Sequence, residues 1–298
     1  SKLLQFDATS GGTNGKLPSE LLKKRRLERK ALQEKLDARK RQKIKAQETA
    51  KARQIQERTP IGILQSLLEK KEEVSTLQQE QSFWQQHSSE KLPDAFDVTV
   101  VAGELSDSQK AQIALAYKLF PSDFPSRVKL KVTYADANMR NGMAGKGIII
   151  LKGQNEDLFF HTLVHEAGHA YGLRAEHAGS PGSGFYDLQI PIASDDPSVP
   201  YYQMSWADNT TQLNTAFPSR YGQTDPFEDF AESYIYYILQ GKAFREEAQV
   251  DPVIAQKYAY MKQVFAGKEY NSFADFSKMP FSIQEIPFDP EKYFEANR

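Results

Sequence analysis

The stretch FFHTLVHEAGHAYGL, with His165, Glu166 and His169, constrains this chain more than any other. A helix turns about 100° per residue, so positions four apart lie about 40° apart on one face. Two imidazoles on such a face reach a common point, and Glu166 projects beside it. This HExxH arrangement suits a divalent ion with a water next to a carboxylate. The flanking residues predict a helix over 159–173. Phe159, Leu163, Ala167, Ala170 and Leu173 recur at helical spacing and give it a core-facing side. Asn155 is a candidate N-cap, followed by Glu156 and Asp157 in the first turn. Gly168 costs a helix about 1 kcal/mol relative to alanine, a cost that fits close approach by a second backbone.

A hydrolytic metal site needs a third protein ligand and one open position. The stretch SRYGQTDPFEDFAESYIYYIL offers Glu228, Asp229 and Glu232. Pro226, preceded by the cap candidates Thr224 and Asp225, opens a second helix. Glu228 and Glu232 are four apart and share a face. One can bind the metal while the other accepts the ring N–H of a ligand histidine. We assign Glu228 as ligand and Glu232 as the histidine's partner; spacing alone also permits the exchange. A HExxHxxGxxH site fits less well. Gly172 is in place, but Ala175 stands where the third histidine belongs, and His177 is two residues late. His161, one turn before His165, reads as a packed residue, and His87 as a surface one.

The pair HEAGH and SRYGQTDPFEDFAES resembles the zinc peptidase domain of anthrax lethal factor and its relatives, which include the Pro-Pro endopeptidases. These are gluzincins, with two histidines and a glutamate on zinc. Their second motif reads approximately S-x-Y-G/A-x-T-x-x-x-E-x-F-A-E. Ser219, Tyr221, Gly222, Thr224, Glu228, Phe230, Ala231 and Glu232 match it. The resemblance implies one Zn²⁺ per chain, held by His165, His169 and Glu228, with Glu166 as general base. It also implies Tyr221 as donor to the oxyanion and a protein or peptide as substrate. By family resemblance alone, secretion or delivery outside the producing cell is favoured. About a third of the chain is covered, and residues 1–92 are not.

Charge divides the chain unevenly. Residues 18–58 carry 15 Lys or Arg against 6 Asp or Glu, a net of +9, which leaves −10 elsewhere for a total of −1. This stretch lacks glycine and is rich in helix formers, so it reads as a long exposed helix. Leu22, Leu27, Leu32 and Leu36 form too thin a stripe for a strong coiled coil. Thr59-Pro60 opens a further helix whose apolar face runs through Ile61, Leu64, Leu68, Val74 and Leu77. The extension reads as a solvated charged helix or linker, or as a docking or inhibitory segment that meets a partner or its own acidic catalytic part. With no aromatics among its basic residues it gives no strong nucleic-acid signal. No transmembrane run and no signal-peptide core is visible. Cysteine is absent, which excludes disulfides. Ser1 in place of Met suggests a trimmed product.

The expected class is α+β. A gluzincin-like domain, with a small sheet, an active-site helix and a helical C-terminal part, follows a long helical extension. The boundaries are a lead-in over 1–17, a basic extension over 18–92, the peptidase domain over 93–280 and a tail over 281–298. Strands are expected at 97–103, 128–134 and 145–153, with a capping box at Ser106 and Gln109 opening a helix to about Phe120. Residues 174–218 read as a long functional loop, with Asp195 and Asp196 in an exposed turn. A helix is expected near 252–265, and the phenylalanines of the tail suggest that it packs on something. Two functions follow: a zinc endopeptidase, or a non-catalytic scaffold that keeps the fold and acts through its basic helix.

Overall fold

The computed structural model describes residues 75, 78–92, 97–101, 103–124, 129–133, 141–145, 147–153, 156–173, 181–187, 190–271, 280–286 and 288–298. The lead-in, the basic helix, the Thr59-Pro60 helix start, Asn155 and His177 lie outside the described residues. Packing groups Glu72–Arg298 as one unit, separate from Ser1–Lys71. The sequence-based boundary at 92/93 thus falls inside a compact unit.

The architecture is mixed α and β. Four strands, β1 (Asp97–Val100), β2 (Lys129–Thr133), β3 (Gly142–Gly145) and β4 (Ile148–Lys152), form a sheet in the order β1-β2-β4-β3. The first two pairings are parallel and β3 runs antiparallel to β4. β2 and β4 alternate as the sequence suggests, with Leu130, Val132, Ile149 and Leu151 fully buried. β3 was not expected. It reads GMAG, without the β-branched or aromatic residues that usually mark a strand. Its pairing with the strongly apolar β4 compensates, and the chain reverses at Gly147, whose φ of 74° glycine adopts without strain. Residues 174–218 are less loop-like than expected. They contain the hairpin β5 (Gly182–Asp187) and β6 (Ile190–Ala193) and a short helix over Val199–Tyr202. Asp196 is buried rather than exposed, and accepts from the backbone N–H and the hydroxyl of Ser198.

Several of the helices open on capping residues. We number them α1 (78–86), α2 (Asp107–Leu119), α3 (Glu156–Gly172), α4 (Val199–Tyr202), α5 (Pro226–Leu239), α6 (Gly241–Ala248), α7 (Pro252–Val264) and α8 (Pro290–Ala296). Ser106 and Gln109 make the expected reciprocal capping box on α2. Asp225 caps α5 by accepting from Phe227 N and Glu228 N, with Pro226 in the first turn. α3 is buried on all sides, through Phe159, Phe160, Leu163, Val164, Ala167, Ala170 and Tyr171. It packs against β3 and β4 on one side and α5 on the other. α5 is nearly as enclosed, and Tyr237 donates its hydroxyl to Lys268 O at 2.6 Å.

The tail packs on its own domain. Phe288 stacks on Phe160 at 5.3 Å, and Phe294 on Phe83 of α1 at 5.6 Å. Trp84 of α1 reaches Phe160 at 5.0 Å. α1 therefore shares the core of the domain, and His87 is half-buried, stacked on Phe83 at 4.1 Å. A buried ion pair ties α5 to α7. Lys257 Nζ lies 2.8 Å from both carboxylate oxygens of Asp229, and Trp206 Nε1 donates to the same group at 3.0 Å. Asp229, one of three acidic candidates on this helix, is thereby committed to structure.

His161 is buried against Phe288, at 5.1 Å between ring centres, and its Nδ1 has no hydrogen-bond partner. Burial lowers its pKa to about 4. The unfolded chain therefore binds a proton that the folded chain refuses between about pH 6.5 and pH 4, and folding stability falls as pH falls through that window. His161→Leu removes this loss. Measured by denaturation with chelator present, the variant should gain about 3 kcal/mol on the unaltered chain between pH 8 and pH 4.

Candidate metal centre

α3 and α5 bring the sequence-assigned residues together. His165 Nε2, His169 Nε2 and Glu228 Oε2 stand 3.2 Å from one another on all three sides. Two donor atoms bound to one tetrahedral ion at about 2.0–2.1 Å stand about 3.3 Å apart. The triangle therefore fits a small divalent cation without rearrangement. Among the described residues this is the group of histidine and acidic side chains close enough to hold a metal. Three electron-rich atoms at this spacing repel unless a proton or a cation lies between them. Burial alone would keep His165 neutral, but Glu228 and Glu232 on its two sides outweigh burial and raise its pKa to about 10. Glu228 is drawn the other way. Burial pushes its pKa up, but His165 and His169 prevail and hold it well below the usual carboxylate range. The site as built demands positive charge.

The close packing of the two helices sets the triangle. A Cβ at Gly168 would stand 2.9 Å from Ala231 Cα and 3.0 Å from Tyr234 Cβ. One at Gly172 would stand 3.0 Å from the Phe230 ring. The glycine inside the HExxH stretch thus has the reason that its helix cost suggested.

Glu228 and Glu232 take different positions. Glu232 is fully buried behind His165, with Oε1 at 3.0 Å from His165 Nδ1, although the ring N–H is not aimed straight at that oxygen. Ser219 and Ser282 donate their hydroxyls to Glu232 at 2.5 and 3.0 Å, and Ile283 its N–H at 2.8 Å. The exchange of roles left open by spacing is therefore not what the geometry presents. Tyr221 starts a short 3-10 turn, Tyr221–Gln223, and donates its hydroxyl to Glu228 Oε1 at 2.9 Å.

An open cleft of about 760 Å³ runs past these groups. Glu166 lines it beside His165 and His169, and Asn141 to Ala144 of the β3 edge form one wall. The backbone of Gly142 comes so close that a Cβ there would sit 2.6 Å from both Cγ and Oε1 of Glu166. Among the described residues, the lining includes Asp187 and Asp225 and no Lys or Arg. The sequence reading missed Gly142, Ser282 and Ile283. For Gly142, the run of glycines at 142, 145 and 147 was the available signal for close backbone approach. Ser282 and Ile283 carry no local signal, because their role depends on a contact 50 residues away.

Comparisons with protein-family models, curated proteins and solved structures find no match to this chain.

Gly168→Ala gains helix propensity but forces α3 and α5 apart against backbone that cannot yield. A net loss of about 1–3 kcal/mol is expected from chemical denaturation, together with weaker metal binding, because the ligands sit on both helices.

Proposed function

We propose that the chain is a zinc-dependent endopeptidase of the lethal-factor-like gluzincin type. The observation that carries this reading is the equilateral triangle of His165, His169 and Glu228 donors with Glu166 beside it in a cleft. A bound Zn²⁺ would supply a water of lowered pKa and polarise the scissile carbonyl. Two imidazoles, a carboxylate and no thiolate form a donor set suited to that ion, and the protein's remaining groups then divide the work.

Glu166 accepts the proton of the attacking water and delivers it to the leaving amine nitrogen. Its place is fixed by the Gly142 backbone on one side and by α3 on the other. Tyr221 presents a phenol at the cleft wall. In this structure the hydroxyl holds Glu228, and its release toward substrate lets it donate to the developing oxyanion. Glu232 orients the His165 ring through Nδ1.

Among the described residues β3 is an edge strand, and that edge offers a place for the peptide. Lys152 N donates to Asn141 O, so residues 141, 143 and 145 turn their polar groups toward β4. Gly142 and Ala144 then turn theirs toward the cleft. An extended peptide can add there as a further strand, with its hydrogen bonds made by backbone rather than by side chains. This arrangement supports an endopeptidase that acts on extended or unfolded segments.

Glu166→Gln should lower the cleavage rate of a peptide-library substrate by at least about 10²-fold while elemental analysis still finds one metal per chain. Retained cleavage would sink the mechanism. Gly142→Ala pushes on Glu166 without touching a metal ligand. Its kcat should fall with metal content unchanged.

A further inference from the structure

We propose that the C-terminal segment 280–286 is a third arm of the metal centre, with Ser282 a positioning residue that acts on the metal through Glu232 and His165. The proposal rests on the metal-centre reading and does not require peptidase activity.

The two oxygens of the buried Glu232 carboxylate are held differently. Oε2 receives Ser219 Oγ at 2.5 Å and Ile283 N at 2.8 Å. Oε1 receives Ser282 Oγ at 3.0 Å and is the oxygen that stands 3.0 Å from His165 Nδ1. Ser282 therefore shares with His165 the carboxylate oxygen that lies beside the ring's Nδ1. Its own hydroxyl has an assigned direction. Gln284 N donates to Ser282 Oγ at 3.2 Å, which leaves the hydroxyl proton for Glu232. With Ser282 removed, His165 is the one described neighbour left at Oε1, and the carboxylate is free to turn about the bonds to Oε2.

The segment is anchored well enough to act as a fixed arm. Arg220 N donates to Pro280 O at 2.9 Å and Tyr221 N to Phe281 O at 2.5 Å. Phe281 N is held by Glu285 Oε2 at 3.0 Å, and beyond the segment Phe288 packs on Phe160. These contacts also join the two sides of the site. Phe281, Ser282 and Gln284 line the cleft, while the Ser282 hydroxyl and the Ile283 N–H reach Glu232 behind His165. A histidine ligand's outer partners typically change metal affinity by about 10- to 100-fold, so a group one bond further out belongs at the lower end.

The test is Zn²⁺ affinity of the full chain by chelator competition, in the unaltered protein, S282A, E232A and the double variant. S282A should weaken binding about tenfold. In the E232A background the same change should have no further effect, because the hydroxyl then has no carboxylate to orient. Unaltered affinity in S282A overturns the proposal, and so does an equal loss from S282A with and without Glu232. A chain that takes up no Zn²⁺ at all overturns the metal-centre reading itself, a result distinct from either.

Discussion

The site depends on how closely α3 and α5 approach each other. His165 and His169 stand on one helix and Glu228 on the other, and no side chain spans the gap except by that approach. Gly168 lets the Ala231 backbone come within what would be 2.9 Å of a Cβ, and Gly172 gives the Phe230 ring its place. The apolar residues that bury both helices supply the drive, and the two glycines set the distance at which it stops. Rigid packing of this kind fixes donor atoms to a few tenths of an ångström, the tolerance a metal imposes.

Buried charge is handled in two ways on the same helix. Asp229 is neutralised inside the protein by Lys257, with Trp206 and Tyr201 adding hydrogen bonds to its carboxylate. Such a pair costs desolvation on both partners and is strongly destabilising when only one is removed. Glu228 and Glu232, one residue before and three after, face histidines instead of a lysine. Imidazoles can give up their protons to a metal, while an ammonium group paired in place cannot. The choice of cationic partner therefore separates Asp229 from the two carboxylates that face the candidate metal centre.

Much of this was readable locally. The capping box at Ser106 and Gln109, the Asp225-Pro226 helix start and the alternation in β2 and β4 are short-range signals, and each element formed where its signal lies. The grouping of His165, His169 and Glu228 followed from helical spacing together with resemblance. β3 was not readable, because its strand character comes from pairing with β4 and not from GMAG itself. The tail and α1 were separated from the domain on composition, whereas Phe83, Trp84, Phe288 and Phe294 bury against α3 and against one another.

Sequence by itself determined which residues can do chemistry: two imidazoles one turn apart, a carboxylate beside the first, and two more carboxylates one turn apart on a second helix. Periodicity carries that information, since a helix fixes which side chains share a face. Tertiary structure decided which carboxylate meets which imidazole nitrogen, that a glycine of an edge strand confines Glu166, and that Ser282 reaches Glu232. Those relations join segments far apart in the chain. Their distances are set by how whole helices and strands pack, a property that no local pattern encodes.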